Sequence, residues 1–259
     1  MRRNGLFMAL LSAALVLTGC ATGGGSGGMQ RAHTPSAREN AASIHTELAW
    51  NLMKQGKLEM ALTKLQTALQ FDPEYVPTHT VLGVLYTRIN KPAKAEEQYR
   101  RAVELDPTDG DTNNNLGRFL CQQGRTSEGL PYFKKALADP FYKTRTKALT
   151  NAGTCQIRAG DYKQAEASLS KTLKINPNDA DALYQMARAH YLQGDAFHAS
   201  AYIQRFLALG VTNPAVLKLG YDIESRLGNA EGAQKYARQL RTKFPDSEQA
   251  QALDSKVSP

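Results

Sequence analysis

Cys20 is the residue whose type and position point most directly to chemistry. It ends the run Leu17-Thr18-Gly19-Cys20, which matches a bacterial lipobox, and it follows an apolar segment from Leu6 to Val16. Two arginines precede that segment, which has the length of a signal-peptide core and is too short to cross a bilayer as a helix. The motif predicts that residues 1–19 are removed, that the Cys20 thiol takes a diacylglycerol, and that the freed amine takes a further acyl chain. Several chains together make a stable anchor where one does not.

The residues after Cys20 indicate where the anchor and the folded part lie. Ala21, rather than an aspartate, follows the cysteine. By similarity to Gram-negative lipoproteins in general, this predicts sorting to the outer membrane, with the protein facing the periplasm. A glycine- and serine-rich run then begins at Thr22. Such a composition cannot bury a core, so residues 20–41 are predicted to be a flexible tether.

Residues that could support catalysis or hold a metal show no recognisable pattern. The histidines are scattered through the chain at positions His33, His45, His79, His190 and His198. No zinc-site spacing, nucleophile elbow or phosphate-binding loop is found. His45 and His79 occupy equivalent positions of a repeat and are interpreted as packing residues. We therefore expect no enzymatic activity, no metal and no cofactor.

The charge does not point to nucleic acid. Removal of the signal lowers the formal net charge from +8 to +6, and the basic residues are spread along the chain rather than clustered. Nucleic-acid binding depends on basic surface that follows the phosphates. The charge is interpreted as solvated helix faces, with contact to an anionic partner or lipid headgroups as the alternative.

A repeat of 34 residues organises the rest of the chain. Prolines at 73, 107, 177 and 245 each follow an apolar stretch that ends like a helix. The period and the small residues at fixed places are the signature of the tetratricopeptide repeat (TPR). The predicted fold is all-α, a right-handed α-solenoid of about six TPR helix pairs spanning 42–259 with a polar C-terminal cap. The predicted repeats are 42–75, 76–109, 110–145, 146–179, 180–213 and 214–247.

The turn inside each repeat is predicted from its glycine. Gly56 and its equivalents end the first helix in a left-handed conformation, while the second repeat uses Asn90 there and opens its next helix at Pro92. The third repeat departs from the pattern at Gly129 and Pro131, so its second helix is predicted to start late or to bend. Two extra residues fall in 139–145.

Two cysteines remain once Cys20 is acylated. Cys121 and Cys155 lie on the first helices of the third and fourth repeats, at similar heights. Neighbouring helices lie about 8 to 10 Å apart, and the periplasm is oxidising. A disulfide is predicted, and two buried free thiols are the alternative.

The surface formed by the first helices is the default binding site of such a solenoid. The predicted groove residues are Trp50, Met53, Thr80, Val84, Asn114 and Arg118. The N-terminal part is the more apolar and holds the single tryptophan, which suits the capture of a peptide or helix. The alternative is that Trp50 packs against the tether or a neighbouring helix.

The whole chain resembles the PilF/PilW family of outer-membrane TPR lipoproteins, the type IV pilus pilotins. The most specific stretches are Asn113–Gly124, Phe133–Tyr142 and Asn151–Cys155, which contain an Asn-rich helix, an Asp-Pro-x-Tyr insertion and the paired cysteines. Where this chain has Leu116, the family often has tyrosine. The resemblance implies a monomeric protein that binds the type IV pilus secretin and promotes its outer-membrane localisation and multimerisation, as pilus biogenesis and twitching motility require. The alternative is a lipoprotein adaptor for outer-membrane protein assembly or for peptidoglycan enzymes.

Overall fold

The computed structural model describes residues 36–254, which form thirteen α-helices and no strand. The helices are α1 Ala37–Lys54, α2 Leu58–Phe71, α3 Val76–Arg88, α4 Pro92–Leu105, α5 Gly110–Gln122, α6 Thr126–Ala138, α7 Arg145–Arg158, α8 Tyr162–Ile175, α9 Ala180–Gln193, α10 Ala196–Leu207, α11 Pro214–Arg226, α12 Ala230–Lys243 and α13 Glu248–Asp254. Short turns join α1 to α2, α3 to α4, and so on up to α11 and α12, which gives six successive helical hairpins followed by α13. The predicted all-α solenoid of six TPR pairs is confirmed. In this described part of the chain, no helix combines the length and hydropathy needed to span a membrane.

The turns inside the repeats follow the prediction from glycine. The φ angle is positive at each of the five expected glycines, for example +77° at Gly56 and +91° at Gly194. Asn90, with φ of +54°, is the one non-glycine residue in residues 36–254 with a positive φ, and Pro92 begins α4. A left-handed residue lets the chain reverse within two or three residues, so the two helices of each repeat lie against each other.

The first helix begins earlier than predicted. Residues 37–41 were assigned to the tether but belong to α1, whose N-cap is Ser36. The Ser36 hydroxyl accepts from the Glu39 N–H at 3.1 Å, and the Glu39 carboxylate accepts from the Ser36 N–H at 3.4 Å. This reciprocal capping box satisfies two backbone donors and fixes the helix start. The predicted lipid site at Cys20 and the rest of the tether up to residue 35 lie outside the described residues.

Close contact within the repeats depends on small residues on the first helix. A Cβ added at Gly83 would lie 2.6 Å from the ring of Tyr99, which is 1% exposed. In the sixth repeat the same contact is made by Gly220 and Tyr236. The predicted repeat starts at 76 and 214 place the equivalents of Gly83 and Tyr99 at 221 and 237, so each of the two residues lies one position earlier. The sixth repeat therefore keeps the packing while shifting both partners. Beyond it, α13 buries Ala250 and Leu253 against the last pair.

The second helix of the third repeat does not start late, which was one of the two outcomes predicted for it. α6 begins at Thr126, two residues after Gly124, as the other second helices do after their turn residues, so Pro131 does not delay it. Gly129 is explained by packing, since a Cβ there would lie 2.6 Å from the Cys121 sulfur and 2.7 Å from the Gly117 carbonyl oxygen. The two extra residues lie, as predicted, in the connection between α6 and α7.

Candidate partner-binding groove

The tryptophan of the predicted groove is accessible from solvent. Trp50 is 44% exposed and lines a cavity of about 340 Å³ between α1 and α3, opposite Val81. The described helices therefore do not cover its ring. Met53 was predicted beside it, and that prediction is wrong. Met53 is 2% exposed and belongs to the core cluster of the first two repeats, because three residues along α1 it faces α2 rather than the open side.

A larger cleft lies next to the tryptophan and carries negative charge. Thr80 and Val81 line a cavity of about 570 Å³, so Val81 is common to both cavities. The acidic lining residues are Glu39, Asp72, Glu74, Asp106, Asp109 and Asp111, and the lining includes no lysine or arginine. Apolar surface comes from Tyr75, Val76 and Pro77. The cleft therefore suits a partner segment with both apolar and basic side chains.

The capping chemistry of the repeats explains why acids collect there. Asp109 is the N-cap of α5 and accepts from the Thr112 N–H at 2.7 Å. Asp106 accepts from the N–H groups of Thr108 and Asp109, both at 3.1 Å. The connections before α3 and α5 bring such carboxylates to the same end of these helices, so the negative charge of the cleft comes from the turns.

The remaining predicted groove residues lie further along the first helices. Val84 is half-buried and packs against the cores of the first and second repeats. Asn114 and Arg118 line a separate cavity of about 330 Å³ over α5, α7 and α9. Asn114 is only 6% exposed, and its amide oxygen accepts from the Asn151 amide at 2.9 Å, which ties α5 to α7. Val81 thus connects the cavities lined by Trp50 and by Thr80, while Asn114 and Arg118 line a further cavity next to α7 and α9.

The two remaining cysteines are joined in the structure. Cys121 on α5 and Cys155 on α7 form a disulfide with their Cα atoms 5.5 Å apart. The two residues are 5% and 0% exposed. Buried in this way, the bond ties together the first helices of two repeats and offers no accessible thiol for chemistry.

Sequence reasoning missed two groups of side chains. One is the acidic cleft, which the regular recurrence of aspartates at repeat starts would have indicated. The other is a histidine pair: His190 and His198 are not scattered, because their ring centroids lie 5.4 Å apart across the turn between α9 and α10. Their positions before and after the Gly194 turn were the available indication.

Comparison with known families identifies the repeats. Profiles of the tetratricopeptide repeat family match residues 46–110, 98–130, 156–220 and 215–247. These matches cover most of the region that forms the six hairpins.

Comparison with individual proteins extends over nearly the whole chain. The type IV pilus assembly protein PilF of Pseudomonas aeruginosa is 29% identical over 234 residues, which are 90% of this chain and 92% of PilF. The crystal structure of PilW, a widely conserved type IV pilus biogenesis factor, has a TM-score of 0.78 at 34% identity and covers 82% of this chain and 97% of PilW. The structure of P. aeruginosa PilF has a TM-score of 0.73 at 27% identity, covering 85% of this chain and all of that one.

Proposed function

Since the chain belongs to the tetratricopeptide-repeat family of type IV pilus biogenesis proteins that includes PilF and PilW, we propose that it is a pilotin. It binds the type IV pilus secretin and promotes the localisation and multimerisation of the secretin in the outer membrane. The activity is binding rather than catalysis, so the chain acts as an adaptor and not as an enzyme.

The observation that carries the proposal is the exposed Trp50 beside the acidic cleft. An exposed aromatic side chain in a pocket is the typical anchor of a protein interface, and the surrounding carboxylates add selectivity for a basic segment. Electrostatic attraction of this kind speeds association and weakens as salt is added. The occupant of this face is therefore a secretin segment with an apolar side chain flanked by lysine or arginine.

In this proposal the lipid at Cys20 directs the protein to the outer membrane. Acylation holds the solenoid at the periplasmic face of the outer membrane, and the glycine-rich run lies in the sequence between the lipid and the first helix. A secretin subunit bound in the groove is then concentrated at the membrane where it must assemble, without any additional contact. Cys20→Ser is expected to leave secretin binding intact while the secretin fails to accumulate in the outer-membrane fraction.

Deletion of the gene tests the proposal in the cell. We expect surface pili and heat-stable secretin multimers to be lost, and both to return with the wild-type chain. Phe141→Ala, which changes an aromatic residue that is 86% exposed and far along the chain from the cleft, should restore them as well. Persistence of pili and multimers in the deletion strain would overturn the proposal. Recovery of barrel-assembly proteins or murein hydrolases instead of secretin in a membrane pull-down would favour a general adaptor.

A further inference from the structure

Two imidazoles and a carboxylate converge at the turn between α9 and α10. The left-handed Gly194 reverses the chain, which brings His190 near the end of α9 next to the first turn of α10. The Asp195 Oδ2 atom lies 3.3 Å from His190 Nδ1 and 2.6 Å from His198 Nδ1. One ligand atom from each of these three residues lies within 4.8 Å of the other two. The three side chains thus already share one small volume.

A fourth candidate ligand atom, an oxygen, comes from the preceding repeat. The Glu166 Oε1 atom on α8 lies 3.9 Å from His190 Nδ1, and Gln193 donates to the same oxygen. The ring of Tyr202 stacks on His190 with centroids 5.4 Å apart. The His190 side chain is only 14% exposed, so its ring is held from behind while its Nδ1 faces the carboxylates. His190, Asp195 and His198 therefore share one small volume, and the Glu166 carboxylate lies beside it on the His190 side.

The fourth repeat shows that capping does not require these histidines. Asp161 is the N-cap of α8 and accepts from the Gln164 N–H at 3.1 Å, as Asp195 accepts from the His198 N–H at 3.1 Å. The positions equivalent to His190 and His198 hold Gln156 and Gln164. In the remaining repeats the equivalent pairs are Leu52 and Met60, Tyr86 and Lys94, Leu120 and Glu128, and Glu224 and Gly232. The imidazoles are thus an addition to a turn that forms without them.

The geometry points to a divalent transition-metal site at His190, Asp195 and His198, with Glu166 as the fourth ligand. Two imidazole nitrogens with carboxylate oxygens are donors that Zn²⁺ accepts in tetrahedral sites. Bonds of about 2.0 to 2.1 Å in such a site place ligand atoms about 3.3 Å apart. The distance between His190 Nδ1 and Asp195 Oδ2 is 3.3 Å, so this pair is already at ligand spacing.

Two side chains have to move when the ion binds, His198 and Glu166, whose Oε1 atom lies 3.9 Å from His190 Nδ1. His198 and Asp195 are at hydrogen-bond distance, and the His198 side chain is 61% exposed, so its ring can turn outward without disturbing the core. Each histidine then coordinates through Nδ1 and keeps its remaining proton on Nε2, and any proton carried by an imidazolium leaves to solvent. The ion joins α8, α9 and α10 and therefore stabilises the junction of the fourth and fifth repeats.

Zinc titration of the full chain, purified in detergent without a histidine tag, tests the site. We expect calorimetry to give one Zn²⁺ per chain and melting to shift to higher temperature with Zn²⁺. The variant H190Q/H198Q carries the fourth repeat's own residues at both positions and should fold as the wild type does. Its zinc affinity should fall by at least about 100-fold, since loss of outer-shell partners alone costs about 10- to 100-fold.

A second histidine variant shows whether the location is correct. H45Q removes an imidazole that stacks on Phe71 in the first repeat, and it should bind Zn²⁺ with unchanged affinity. The proposal is overturned if the wild-type chain takes up no Zn²⁺, or if H190Q/H198Q binds the ion as tightly as the wild type while its circular dichroism is unchanged.

Discussion

The junction between the first and second repeats and the junction between the third and fourth are built differently. At the first, four residues connect α2 to α3, and the Asp72 carboxylate accepts from the Glu74 N–H at 2.9 Å, inside the connection itself. At the second, six residues connect α6 to α7, and the Asp139 carboxylate accepts from the Phe141 N–H at 2.8 Å inside the connection and, in addition, from the Gly110 N–H at 3.0 Å, at the start of α5. The longer connection is thus attached to the helix where its own repeat begins.

Further contacts hold the longer connection in place. Tyr142 is 4% exposed and lies over Gly110, where an added Cβ would come within 2.4 Å of the tyrosine Cγ. Burial raises the pKa of the Tyr142 phenol. Arg145 donates to the carbonyl oxygens of Leu137 at 2.8 Å and Asp139 at 3.1 Å. A regular junction thus relies on the repeated pattern, whereas the irregular one relies on residues that occur once.

Among the changes considered, loss of the disulfide should lower the free energy of unfolding most. The bond lies at the junction of the third and fourth repeats, and the first junction has none. Removing it with C121A/C155A is expected to cost about 4 kcal/mol, because the bond closes a 34-residue loop in the unfolded chain. Urea unfolding of the variant and of the oxidised wild type measures the change. A difference below about 1 kcal/mol would mean that the irregular junction does not depend on the bond.

The adjacent residues Phe141 and Tyr142 allow an exposed and a buried aromatic side chain to be compared. Y142A should lower the free energy of unfolding by about 3 kcal/mol, because a buried ring is replaced by a void over Gly110. F141A is the matched control and should stay within about 0.5 kcal/mol of the wild type, since Phe141 is 86% exposed. Equal losses in the two variants, measured by urea unfolding, would be incompatible with Tyr142 as the anchor.

The contact between Gly110 and Tyr142 can be measured as a coupling. G110A should cost about 2 kcal/mol, because its methyl group overlaps the tyrosine ring. In the Y142A background the methyl group meets no ring, so the cost should largely disappear. A thermal or urea double-mutant cycle gives the coupling energy, and additive effects would show that the strain lies elsewhere.

The smallest effect is expected from the two connection aspartates. D139A should cost about 1 kcal/mol, the usual value for a lost helix cap, because the Gly110 N–H loses its carboxylate partner. D72A removes an acceptor that serves only an exposed turn and should change stability by less than about 0.5 kcal/mol. The order of the two losses is the readout, and a larger loss for D72A would contradict the different roles of the two connections.

The repeating parts of this molecule were predicted well from the sequence, and of the features that occur once only the disulfide and the position of the two extra residues were. Left-handed Gly56 and Asn90 recur at fixed spacing, so their roles follow from local backbone preference. Met53 was wrongly assigned to the groove. One side of α1 faces the groove and another faces the core, and residue spacing alone does not show on which side Met53 lies. The approach of His190 to His198 depends on how a turn folds back, which no local pattern specifies.

The capping box of Ser36 and Glu39 was readable in the sequence and gives the true start of the solenoid. The role of Tyr142 could not be predicted from the sequence. Its ring occupies the space left by the missing Gly110 side chain, and that contact forms only in the folded protein. Prediction therefore succeeded where residues act through the backbone of their own repeat. It failed for other side chains that find a partner across the fold, whereas the disulfide between Cys121 and Cys155 was predicted from the similar heights of the two cysteines.

Direct binding of the purified full chain to the pilus secretin tests the central claim. We expect saturable binding that weakens with added salt and whose affinity falls by at least about 30-fold in W50A, the effect of losing a central anchor. F141A should bind as the wild type does. Absence of secretin binding by the wild-type chain, or equal affinity of W50A and the wild type, would contradict the proposed role of the Trp50 face.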